Sequence, residues 1–101
     1  MVTPRPFAIH VSDEVLADLR MRLEPTRWPD EHPGGGWQYG RDLEYMNALV
    51  AYWREKYDWH HQEARLNRFR QFVMPVNAID LRFIHAPGAE PNPVPLLLLH
   101  G

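Results

Sequence analysis

The chain has no cysteine, which excludes a disulfide framework and a thiolate metal site. It has no apolar run near the ~20 residues of a membrane span. Leu96–Leu99 is one short run of this kind. The start, Met1-Val2-Thr3-Pro4-Arg5-Pro6, lacks the apolar core of a signal peptide. A formal net charge of −2 excludes the strongly basic surface that nucleic acid or an anionic membrane demands. No Ser, Asp or Cys stands in a Gly-x-nucleophile-x-Gly setting, so no complete catalytic constellation is present. What remains is a globular composition, 45% hydrophobic and 24% charged over 101 residues. That length allows one domain at most, burying roughly 60–70% of its unfolded surface. The sequence stops at His100-Gly101 directly after an apolar run, which suggests the first part of a longer chain.

After a proline-punctuated lead, Phe7-Ala8-Ile9-His10-Val11 alternates and suggests a short extended segment. Ser12 offers an N-cap hydroxyl, Asp13 and Glu14 put negative charge in a first turn, and Val15, Leu16, Leu19 and Leu23 recur at helical spacing. Pro25 stops that pattern, so a helix is predicted over about 12–23. Residues 25–40 carry Pro25, Pro29, Pro33, Gly34, Gly35, Gly36 and Gly40 and form a long irregular loop. Trp28, Trp37 and Tyr39 within it suggest a loop pinned onto a pocket or a neighbouring domain.

Leu43, Met46, Val50, Trp53 and Tyr57 recur at steps of three and four, predicting a helix over about 41–57 with Trp53 and Tyr57 in the core. Asp58 fits the N-cap of a short third helix over 59–67. The period then changes. Residues 69–74 and 79–85 alternate as strands around Pro75-Val76-Asn77-Ala78, predicting a hairpin over about 69–85. Residues 86–95 are too rich in proline for either element. Leu96–Leu99 is apolar throughout, the mark of a parallel strand covered on both faces, so 96–100 is predicted as a third strand. The fold class is therefore α/β and incomplete. A helical segment over 1–68 precedes the first strands of a larger sheet over 69–101.

Other sites are weaker. Gly34-Gly35-Gly36 lacks the Gly-Lys-Ser/Thr ending of a phosphate loop. His60 and His61 are adjacent, so they point about 100° apart on a helix and do not share a metal ion; a solvated helix start is expected. His10, His32 and His85 show no ligand spacing. The aromatic residues could stack bases or sugars, but the basic groove that nucleic acid needs is absent.

One set of residues is more specific. Phe7-x-Ile9-x-Val11-Ser12-Asp13, Leu19-x-x-Arg22-Leu23, Arg27-Trp28-Pro29 and Trp37-Gln38-Tyr39-Gly40 come in order. Tyr52-Trp53-x-x-x-Tyr57-Asp58-Trp59, Glu63, Leu66-Asn67, Phe69 and Ile84-His85 follow, and the Leu96–Leu99 run leads into His100-Gly101. Together they resemble the N-terminal region of microsomal-type epoxide hydrolases, including the juvenile-hormone and soluble microbial branches. The chain departs from that pattern at His60, where the family often has Arg, and at Ala78 and Arg82, where it often has Gly and His.

The resemblance implies an α/β-hydrolase that turns small apolar epoxides into vicinal diols through an aspartyl ester, without a cofactor. It implies that the nucleophile, the tyrosines that hold the epoxide oxygen and the histidine that activates water all lie beyond residue 101. Tyr39, Tyr45, Tyr52 and Tyr57 then have no catalytic role, and the chain alone is inactive. His100 and Gly101 match the start of the oxyanion loop; Trp28, Trp37 and Tyr39 stay candidates for pocket or domain contact on their loop setting alone. The expected partner is the rest of the hydrolase core, with no nucleic acid and no membrane, in the cytoplasm; a homo-oligomer stays open. Two other readings stand beside it: a non-catalytic wrapping module docked on a hydrolase core, and another α/β-hydrolase activity such as ester hydrolysis.

Overall fold

The computed structural model describes residues 2–99 and 101. The elements are β1 (Arg5–Phe7), α1 (Asp13–Leu23), α2 (Leu43–Glu55), α3 (Trp59–Leu66), β2 (Gln71–Val76) and β3 (Ile79–Ile84). They form two compact units, one from Met1–Ile9 with Glu63–Gly101 and the other from His10–Gln62.

The first unit is a three-stranded antiparallel sheet in the order β1-β2-β3. Asn77 and Ala78 alone make the turn between β2 and β3, both with positive φ (50° and 63°), and Val76 pairs with Ile79 across it. The predicted four-residue turn is thus tighter, and Pro75 lies inside β2. Counting from the closing pair, hydrogen-bonded positions recur at every second residue, as His85 N–H donating to the Arg70 carbonyl at 3.1 Å confirms. Pro75 falls between them, so its missing N–H faces away from β3. On that side β1 has already ended opposite Val73, and the proline breaks no ladder bond.

The register sorts the sheet's faces. Phe72 lies opposite Phe83, Met74 opposite Leu81 and Val76 opposite Ile79, so one face is apolar throughout. The Phe72 and Phe83 rings stack at 5.8 Å. The other face carries Val73, which is buried, and Phe7, whose ring lies 4.4 Å from the Arg82 guanidinium carbon. The N-terminal strand is Arg5–Phe7 rather than the 7–11 segment, because Ile9 is held instead by the side chain of Asn67.

The second unit holds α1, α2 and the first half of α3. Ser12 Oγ accepts the Val15 N–H at 3.3 Å and starts α1. Asp42 Oδ1 accepts the Tyr45 N–H at 2.7 Å and starts α2, where Glu31 Oε1 also takes the Leu43 N–H at 3.1 Å. Two of the orphan donors at that helix end are thereby satisfied. Asp58 Oδ1 accepts the His61 N–H at 3.0 Å and starts α3. α1 and α2 pack on each other, with Leu16 buried at 8% exposure.

Three further expectations change. The compact units do not divide at residue 68, because β1 joins the hairpin that follows α3. The predicted strand over 96–100 is absent at Leu96–Leu99, which are 80–82% exposed and pair with no described strand; a parallel strand needs neighbours that these residues do not meet. Trp53 is 44% exposed and Tyr57 also stays at the surface, so neither is a core residue. The two helices alone are too few to cover the stripe that α2 presents.

Candidate functional site

The aromatic loop is ordered by its glycines. Gly34 (φ 70°) and Gly36 (φ 48°) take left-handed backbone that a side chain would strain. The Gly35 N–H donates to the His32 carbonyl at 3.0 Å, and the Gln38 N–H to the Gly35 carbonyl at 2.9 Å. These turns bring the loop back onto the start of α2.

Of the three aromatic residues singled out from sequence, the structure brings two together. Trp28 and Tyr39 line one cavity of about 490 Å³ with Asp30, His32, Arg41 and Met46. The Tyr39 ring lies 4.9 Å from that of His32. Trp37 packs elsewhere, its ring 5.2 Å from Tyr45 on α2. Trp28 is half-buried, whereas Trp37 and Tyr39 are exposed. The cavity can hold a ligand or a neighbouring chain by stacking and hydrogen bonds, but it contains no nucleophile poised beside a base.

A second concavity is larger and almost entirely apolar. It measures about 580 Å³ and lies between α1 and α2, lined by Leu19, Leu23, Leu49, Tyr52, Trp53 and Tyr57 among others. Arg20 is the charged residue at its wall. Beside it, His60 Nε2 lies 2.7 Å from Asp13 Oδ1. That hydrogen bond, and then the charge of His60, hold the Asp13 carboxyl below its ordinary value. His60 is not merely part of a solvated helix start; it ties α3 to the first turn of α1. Its partner lies 47 residues away, which no local pattern reveals.

Among the described residues no group of three His, Cys, Asp or Glu side chains could hold a metal ion. No helix there is long and apolar enough to cross a membrane. Gly101 is exposed, with open space where a Cβ would stand. His100, the other residue expected at the oxyanion loop, lies outside the described residues.

Comparison with known proteins bears on what these surfaces serve. The family model for the epoxide hydrolase N terminus matches residues 4–101. The chain is 41% identical over 96 residues to a Stigmatella aurantiaca protein assigned by name to the epoxide hydrolases, covering 95% of this chain and 22% of that one. It is 34% identical over 101 residues to epoxide hydrolase 1 of Oryctolagus cuniculus, covering 96% and 22%. Among solved structures, the epoxide hydrolase of Aspergillus niger superposes with a TM-score of 0.74 at 27% identity, over 81% of this chain and 22% of that one. The juvenile hormone epoxide hydrolase of the silkworm Bombyx mori gives 0.78 at 22% identity, over 90% and 22%, which shows the shared fold. The chain therefore spans about a fifth of the length of the relatives it matches, and over that span it belongs to the epoxide hydrolase N-terminal family.

Proposed function

We propose that these 101 residues are the N-terminal part of an epoxide hydrolase that opens small apolar epoxides to vicinal diols. The match to the family over residues 4–101 carries this reading. In the reaction a carboxylate outside this chain attacks a ring carbon and forms an ester as the carbon–oxygen bond breaks. Tyrosine hydroxyls there protonate the oxygen that leaves the ring. A histidine-activated water then adds to the ester carbonyl, releases the diol and restores the carboxylate. Backbone N–H groups stabilise the tetrahedral oxyanion of that step, and His100-Gly101 would open the loop that supplies one of them.

On this reading residues 1–68 wrap the catalytic core and residues 69–101 begin it. Leu96–Leu99 becomes a strand once neighbouring strands flank it. The apolar face of β2 and β3 supports this, because an exposed apolar sheet face is stable only under a second layer. Trp28, Trp37 and Tyr39 contact the rest of the protein or its pocket. The cytoplasm is the proposed location, consistent with the absence of cysteine.

The ester mechanism has a direct test. In a single turnover of excess full-length protein in heavy-oxygen water, the first diol carries ordinary oxygen, because its new hydroxyl comes from the carboxylate. Heavy oxygen in that first diol would mean direct attack by water and would refute the covalent route.

A further inference from the structure

We propose that His60 and Asp13 form a pH-dependent clasp, which fastens the start of α3 to the start of α1 and loosens as the imidazole sheds its proton. The clasp stands apart from the hydrolase reading. Nε2 of His60 lies 2.7 Å from Oδ1 of Asp13, across 47 positions of sequence. Both residues belong to the same compact unit. Among the described residues α1 packs on α2, whereas the backbones of α1 and α3 make no close approach, so the pair is a side-chain tie between separated helices. α3 has eight residues, and a helix that short is marginal on its own. What holds its first turn therefore sets how often it opens.

The two helix ends treat the two charges differently. Asp13 is the first residue of α1, where the helix dipole favours a negative charge. His60 is the second residue of α3, where the dipole disfavours a positive one. Asp13 thus holds the protonated imidazole in place, through a charge-assisted bond about twice as strong as a neutral one. Imidazole ordinarily changes charge between about pH 5 and 8. The clasp is tight at the acid end of that range and weakens as pH rises through it. Asp13 stays ionised throughout, since its hydrogen bond with His60 lowers its carboxyl further. Arg20 and His10 also act on Asp13. α3 itself carries His61, Glu63 and Arg65, and Asp58 caps it through the His61 N–H. Of these groups only His10 and His61 change charge in the same range, so they are the rivals to remove. Both members of the pair face solvent, and its effect is local.

Amide exchange of residues 62–66 in the 101-residue chain, followed by NMR and corrected for the intrinsic pH dependence of exchange, tests this. Between about pH 5.5 and about pH 8.5 protection should fall about two- to threefold, the size one exposed pair allows. The midpoint of the fall should coincide with the titration of the His60 ring. His60→Arg, a permanent cation, should remove the fall and keep the protection. His60→Gln should remove the fall, whereas His10→Gln and His61→Gln should retain it. In Asp13→Asn the fall should vanish or reverse, because the dipole of α3 then acts on the imidazole alone. Flat protection in the unaltered chain, a fall that survives in His60→Gln or Asp13→Asn, or a midpoint that follows another histidine would overturn the clasp.

Discussion

Asn67 binds Ile9 with both ends of its side-chain amide. Oδ1 accepts the Ile9 N–H and Nδ2 donates to the Ile9 carbonyl, each at 2.8 Å, although the residues are 58 positions apart. The amide thus imitates a neighbouring strand and satisfies both backbone groups of a residue that follows β1 without belonging to it. Asn67→Ala should lower stability by about 1 kcal/mol in urea unfolding, since two partly solvated hydrogen bonds are lost. Asn67→Asp keeps the acceptor but sets a carboxylate oxygen against the Ile9 carbonyl, so it should destabilise at least as much as Asn67→Ala.

The hairpin turn invites the opposite outcome. Ala78 holds φ 63° beside Asn77 at 50°, and alanine is disfavoured in that region. Ala78→Gly should raise the unfolding midpoint, with a net gain of about 0.5–1 kcal/mol after glycine's greater flexibility in the unfolded chain is counted. Ala78→Val should destabilise, because a β-branched side chain is worse still at positive φ.

The start of α2 depends on two carboxylates. Asp42 takes the Tyr45 N–H and Glu31 takes the Leu43 N–H. Asp42→Ala should cost about 1 kcal/mol, and Glu31→Ala less, because its hydrogen bond is longer and arrives from a loop. Loss of far-UV helix signal in thermal scans checks both.

Asp13 gives the pH dependence. Its carboxyl is held below the usual range by the hydrogen bond and the charge of His60. A carboxyl whose value is lowered on folding adds stability above its unfolded value, and that stability is lost as pH falls through the lowered folded one. Carboxyl chemical shifts followed through acid titration should place Asp13 below an ordinary Asp. In His60→Ala the Asp13 titration should move up toward the ordinary value. An unchanged midpoint would remove His60 as the cause.

Local chemistry made much of this legible. Ser12, Asp42 and Asp58 each start a helix through a side chain that caps the next turn, and such signals sit within three residues of their targets. The hairpin strands were visible from alternation around Asn77, but the turn's tightness was not, because Pro75 resembled a turn residue until the register showed its N atom facing an empty edge. The strand Arg5–Phe7 was hidden by Pro4 and Pro6, and edge pairing tolerates Pro6 without announcing it. The Asn67–Ile9 and His60–Asp13 contacts join distant positions and leave no periodic trace. The spacing of Trp53 and Tyr57 marks an apolar face, but spacing does not say what covers that face, and these residues leave it exposed.

The chain belongs to the epoxide hydrolase N-terminal family, and on the function proposed above the chemistry lies outside it. Diol formation from styrene oxide, measured side by side for the purified 101-residue chain and the full reading-frame product, tests it most directly. Turnover is expected from the full product and none above the uncatalysed rate from the short chain. Turnover by the short chain that survives repeated purification, or none by a folded full-length product, would contradict it.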